Sequence, residues 1–145
     1  MNAIELLKSD HRKVQAFFDE MDQTEETTLK RRGFMQLKKE LDLHMYLEET
    51  FVYPLFAETD GLVDLIEDSF DDHQEIRSLL NLDGVRTDEE LDDRVDELMD
   101  VVQEHVATEE SQLFPQIHKI LGSEKLTELG KRLDEERSSP TARAA

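Results

Sequence analysis

The chain contains no cysteine. Disulfides, thiol catalysis, zinc ribbons and iron–sulfur clusters are therefore excluded together. Positive charge is scarce: 17 Lys and Arg stand against 36 Asp and Glu, a formal charge of −19. Such a surface repels phosphate backbones, so no nucleic-acid partner is expected. No apolar run is long enough to span a membrane or to form a signal-peptide core. The expectation is a cytoplasmic protein without a membrane partner. The acidic residues are unevenly spread, with 16 between Asp60 and Asp100 against Arg77, Arg86 and Arg94. This density reads either as a solvated helix face or as a field that draws cations to the surface.

What is present is helical periodicity. With 145 residues the chain is one domain by length and can bury a core. Ile4, Leu7, Val14, Phe18 and Met21 step by threes and fours, with His11 in the position between Leu7 and Val14. A second seam runs Phe34, Leu37, Leu41, His44, Glu48, Phe51, Leu55. A third runs Leu62, Ile66, Ser69, His73, Ile76, Leu80, and a fourth Leu91, Val95, Leu98, Val102, His105, Glu109, drifting onto Leu113 and Ile117. Seams of alternating three and four belong to helices packed at shallow angles, so the fold class is all-α, an up-and-down antiparallel four-helix bundle. Asn2 can cap the first helix, the second starts near Thr27, Asp60–Gly61 separates the second from the third, and Thr87 with Glu90 has capping-box spacing. Gly122–Ser123 closes the fourth, and residues 123–136 read as a short C-terminal fifth helix. The domain is expected over residues 1–137, with 138–145 as a frayed tail. Pro54 and Pro115 each remove a backbone donor and should kink or end their helices nearby.

The chain repeats itself. Asp10–His11 with Val14 matches Asp72–His73 with Ile76, and His44-x-x-x-Glu48–Glu49 with Pro54 matches His105-x-x-x-Glu109–Glu110 with Pro115. A two-helix hairpin thus occurs twice, which predicts a bundle with approximate twofold symmetry. Six polar side chains, His11, His44, Glu48, His73, His105 and Glu109, interrupt four apolar seams. Buried without partners, six such groups could consume the ~5–15 kcal/mol that is a domain's whole stability. They must satisfy one another or share something. Residues four apart lie on one helix face, so each histidine sits beside its glutamate, and the depths of the residues along the bundle bring all six into one layer. A lone histidine on an apolar stripe is most often a satisfied core residue. Four histidines and two glutamates doubled by a repeat instead point to metal. Imidazole and carboxylate suit iron, manganese or zinc, and two carboxylates facing two imidazole pairs suit two bridged metals. His118 falls opposite His105 on the wheel and reads as surface, while Tyr53 lies about 140° from the Glu48 face and is at most a partner of the ligands, not a ligand. Glu49 and Glu110 read as solvated, or as partners that orient a ligand histidine.

This set, a histidine on helices one and three and His-x-x-x-Glu on helices two and four, resembles the hemerythrin-like domain, also called the HHE cation-binding domain, over about Asn2 to Leu121. The resemblance implies a non-haem di-iron centre with an oxo or hydroxo bridge. His11 and His44 would hold one iron, His73 and His105 the other, and Glu48 and Glu109 would bridge. The oxygen-carrying members have a further histidine one turn after the third-helix histidine; here that position is Arg77, which has no lone pair to give a metal. Their fourth-helix carboxylate is typically an aspartate at longer spacing; here it is Glu109. The pattern is closer to the HHE proteins and to the di-iron domain of iron–sulfur repair proteins, whose N-terminal cysteine segment is absent. With one ligand fewer, the resemblance implies an additional open metal position, and a centre that reacts with oxygen, hydrogen peroxide or nitric oxide rather than carrying oxygen. The competing readings are an iron-binding or iron-sensing module without turnover, and an interaction bundle with a vestigial site. Arg77 itself should reach water or a carboxylate such as Asp72 or Glu75.

Overall fold

A computed structural model describes residues 1–143. Its elements are α1 (Ala3–Asp22), α2 (Thr27–Leu47), α3 (Val63–Leu80), α4 (Asp88–Thr108), α5 (Phe114–Glu136) and α6 (Pro140–Arg143). Among the described residues there is no strand, and no helix is long and apolar enough to cross a membrane. The first four helices and the first part of α5 make the antiparallel bundle that the seams predict.

The helix starts are capped as their sequences dictate. Asn2 Oδ1 accepts the Glu5 N–H at 2.9 Å. The cap of α2 is Glu26, whose carboxylate takes the N–H groups of Thr28 and Leu29. Thr87 Oγ1 accepts the Glu90 N–H, while the Glu90 carboxylate reaches back to the Arg86 N–H, one residue before the usual reciprocal partner.

Both long inner rods widen at the same repeat position. Glu48–Val52 and Glu109–Leu113 are π-helical turns, closed by Tyr53 N–H to the Glu48 carbonyl and by Phe114 N–H to the Glu109 carbonyl. Each lies just before a proline that cannot supply the next α-type donor. After Pro54 the chain makes one 3₁₀ turn, Tyr53–Leu55, and leaves the bundle; after Pro115 it continues into α5. The extra residue in each turn shifts the helical phase. Leu55, expected on the seam, is 56% exposed, and Phe51 is only partly buried. Val52, Tyr53 and Phe56 are buried in their place.

The core falls into two apolar clusters. One gathers Leu6, Leu7, Leu47, Tyr53, Phe56, Phe114 and Ile117 with residues of α5. The other gathers Val14, Phe18, Phe34, Leu37, Ile76, Leu98 and Val102. The polar layer lies between them, so both of its faces are dry.

At Gly122 the backbone takes φ 77° and ψ 167°, a conformation open to glycine, and α5 turns there. Residues 123–136 then pack across α1. A Cβ on Gly130 would stand 2.5 Å from the Met1 carbonyl oxygen, so this helix rests directly on the N-terminal backbone. Beyond it the chain differs from the expected frayed tail. Ser139 Oγ accepts the Ala142 N–H at 3.1 Å, Pro140–Arg143 form a helical turn, and Ala142 is buried against α2. A short apolar residue with a serine cap suffices to dock a turn that composition alone marks as loose. Ala144 and Ala145 lie outside the described residues.

Candidate metal centre

All six polar seam residues meet in one layer, none more than 8% exposed. Donor atoms of His11, His44, Glu48 and Glu109 lie within 4.8 Å of one another, and so do those of Glu48, His73 and His105. Two donors each ~2.0–2.2 Å from one ion are at most ~4.4 Å apart, so both groups need only a slight contraction to close on an ion. Glu48 belongs to both groups; Glu109 belongs to the first. The repeat is visible in the rings: His11–His44 and His73–His105 each have centroids 4.9 Å apart.

The outward nitrogens are held by carboxylates from neighbouring helices. His11 Nδ1 donates to Glu110 Oε2 (2.6 Å), His44 Nδ1 to Asp10 Oδ2 (3.0 Å), His73 Nδ1 to Glu49 Oε2 (2.6 Å) and His105 Nδ1 to Asp72 Oδ2 (2.9 Å). α1 is thereby tied to the rod after α4, α2 to α1, the rod after α2 to α3, and α4 to α3. An ionised carboxylate only accepts, so each Nδ1 carries a proton and each Nε2 faces inward. Glu49 and Glu110 take the orienting role rather than the solvated one. Sequence reasoning missed Asp10 and Asp72 as orienting residues, although each immediately precedes a repeated histidine. Arg77 reaches neither Asp72 nor Glu75: its Nη2 donates to Glu49 Oε2 at 2.8 Å. Arg137, which caps the C-terminus of α5, lies 3.3 Å from both oxygens of Asp10. His118 is exposed.

Tyr53 corrects the helical-wheel reading. Its hydroxyl donates to Glu109 Oε2 at 2.5 Å and lies 3.3 Å from His73 Nε2, and the side chain is fully buried. A fixed 100° per residue turns it away from Glu48; the π-turn returns it to the layer. The repeat places Phe114 at the equivalent position, where its ring stacks on His11 at 5.9 Å. One half of the layer thus has a hydroxyl donor and the other has none.

The inward atoms are largely unpaired. Among the described residues, His11 Nε2, His44 Nε2, His105 Nε2, both Glu48 oxygens and Glu109 Oε1 are buried without a hydrogen-bond partner. They face one another at distances such as 3.1 Å, from His44 Nε2 to Glu48 Oε1 and from His11 Nε2 to Glu109 Oε1. At ~1–3 kcal/mol per unsatisfied buried group, such a layer is costly unless the histidines are charged against the glutamates or metal ions take their lone pairs. Metal ions satisfy all of them at once, and the donor set fits the group that the resemblance implies.

The charges respond to this crowding. Burial alone would lower the His105 pKa, but Glu109 beside it raises it to about 9. His44 is likewise raised well above its usual range, burial being outweighed by the Glu48 charge and the Asp10 hydrogen bond. Burial would raise Glu109, yet His105 and His11 hold it well below the usual carboxylate range. Burial and the charges of Glu109 and Glu48 push the Tyr53 phenol well up, so it remains a donor. An acidic cleft of about 360 Å³, lined by Asp68, Asp71, Asp72, Glu75 and Glu104, opens above His105.

Comparison with known proteins agrees with this geometry. The family model described as the hemerythrin HHE cation-binding domain matches residues 2–117. The chain is 33% identical over 127 residues to a protein named DNA nickase from Nostoc sp. (strain PCC 7120), a match covering 86% of this chain and 36% of that one. The chain thus spans about a third of the length of that relative. No solved structure matches. The paired histidines, the two inward glutamates and the matched bundle together make this chain a member of the hemerythrin HHE cation-binding domain family.

Proposed function

We propose that the chain is a non-haem di-iron protein that reacts with a small oxidant: oxygen, hydrogen peroxide or nitric oxide. The observation that carries the reading is the set of six buried, unpartnered donor atoms converging on one layer. His11 and His44 would hold one ion and His73 and His105 the other, with Glu48 and Glu109 shared between them; the Glu109 oxygens lie 3.1 Å from His11 Nε2 and 3.5 Å from His105 Nε2. Iron bound there would supply electrons and Lewis acidity. The protein's own contribution is orientation and exclusion. Four carboxylates fix the imidazole tautomers, and two apolar clusters keep water from the layer. The Tyr53 hydroxyl stands beside the second donor group, 3.3 Å from His73 Nε2, where the first has the Phe114 ring against His11. That inequality supports a small ligand at the His73–His105 position, within reach of a hydrogen-bond donor. Arg77, turned to Glu49, leaves that position free of a further protein ligand.

The likeness to a DNA nickase does not extend the proposal to DNA. The shared segment is a third of that relative, and a chain of formal charge −19 opposes a phosphate backbone. The test is elemental analysis and optical spectroscopy of protein expressed with ample iron, followed by peroxide addition to the reduced form. About two irons per chain, near-ultraviolet bands absent from the metal-free protein, and consumption of peroxide are expected. Less than half an equivalent of any transition metal would remove the di-iron reading. Two irons without peroxide, oxygen or nitric oxide reactivity would leave an iron-binding module without turnover.

A further inference from the structure

The repeat makes Asp10 and Asp72 equivalent, since each precedes a histidine and each orients a histidine of a neighbouring helix. Their surroundings are not equivalent. The Asp72 side chain is 39% exposed at the acidic cleft, and among the described residues His105 is its one ion-pair partner. The Asp10 side chain is 7% exposed and has a second partner, Arg137. Arg137 comes from the end of α5, beyond the segment that the family model matches. Two further contacts fix that segment to the same side of the bundle. Gly130 lies on the backbone of Met1–Ala3, and α6 returns to α2. The C-terminal residues therefore strap the two helices that carry His11 and His44, and nothing similar among the described residues covers His73 and His105.

We propose that residues 123–137 are a clamp on the His11–His44 metal position, acting through Arg137 as a positioning residue. The proposal rests on the reading of this layer as a metal centre. Arg137 holds the buried Asp10 carboxylate in place; Asp10 holds the His44 ring by its Nδ1–H; His44 Nε2 is then aimed at the ion. Coupling of this kind runs both ways. A segment that tightens metal binding is itself tightened by metal, by the same factor. Metal occupancy is thereby reported on the outside of the bundle as the docking of α5, while the other position, lacking a clamp, is the weaker of the two.

The test uses the full chain, made metal-free and titrated with ferrous iron without oxygen. Affinity is read by competition with a chelator, and the order of residues 123–136 by hydrogen exchange. In the unaltered protein two binding steps of unequal affinity are expected, and iron should slow exchange across residues 123–136. Arg137→Gln should weaken the tighter step by about tenfold, the lower end of what losing an outer hydrogen-bond partner costs, and leave the weaker step unchanged. It should reduce the iron-dependent protection of 123–136 by the same factor, and Arg137→Lys should restore part of both. Gly130→Ala, remote from every donor atom, should act on the same step by lifting the helix. If exchange of 123–136 in the unaltered protein does not respond to iron, the clamp is wrong whatever the variants do. Two iron sites with unchanged affinities in Arg137→Gln would also overturn it. Absence of iron binding in the unaltered protein would instead remove the di-iron reading.

Discussion

Glu48 and Glu49 are adjacent in sequence and have different work in the structure. Glu48 offers two unpartnered oxygens to both donor groups; Glu49 faces the opposite side of His73 and is held by Arg77. Glu48→Ala should therefore abolish binding of both irons, whereas Glu49→Ala should retain two sites at saturating iron with affinity lower by about 10–100-fold. Elemental analysis beside a chelator titration separates the two; equal loss in both variants would contradict the assignment. The histidines make a second prediction. His105 titrates at about 9 in the folded metal-free protein against 6.5 unfolded. Below 6.5 it is protonated in both states and its stabilisation is complete; as pH rises through about 9 the folded state loses the proton and the stabilisation with it. His44 and His73 are shifted in the same direction. The melting temperature of the metal-free protein should therefore fall from pH 6.5 to about 9, and iron, which takes the Nε2 lone pairs, should remove that dependence. A rise over this interval by circular dichroism would count against the charge assignment.

At the scale of the element, the π-turns decide which side chains see the site. A continued α-helix would bury Leu55; the widened turn exposes it and buries Phe56. Leu55→Ser should cost no more than ~0.5 kcal/mol, as surface changes do, while Phe56→Ala should cost ~3–5 kcal/mol. Urea unfolding of the two variants measures this directly, and a larger loss for Leu55 would restore the unbroken helix. The same turns mark where sequence reading stops. His11, His44, Glu48, His73, His105 and Glu109 were legible because polar residues on apolar seams are costly to bury singly, and the repeat brings all six to one depth. Tyr53 was not, because a constant angular step cannot register one added residue. Proline marked the neighbourhood of the change but not its form. The roles of Asp10 and Asp72 depend on contacts between helices, which periodicity within one helix does not describe. Arg137 depends on the direction α5 takes after Gly122, which is a matter of tertiary packing.

For the molecule as a whole, the metal layer is both the weakest and the most stabilising place in the core. Without metal it carries six buried unpaired atoms between two apolar clusters. At a hundredfold excess over the dissociation constant each ion adds ~2.7 kcal/mol of stability. For a domain of this size, two such ions should raise the melting temperature by roughly 10–20 °C. Calorimetry with and without a chelator checks the figure, and a shift under about 3 °C would mean that the ions do not hold the layer together.

The crossed carboxylates have a consequence in time. The α1–α2 hairpin and the turn after it contain His11, His44 and Glu48, but Glu109 and Glu110, which complete the first position, lie past α4. A chain emerging from the ribosome thus presents three donors early, and the fourth, Glu109, with the orienting Glu110, only after the fourth rod has been made. No complete position exists on the nascent hairpin. A metal ion would find its full donor set only once synthesis has passed Glu110, so the connectivity keeps a half-built chain from holding one.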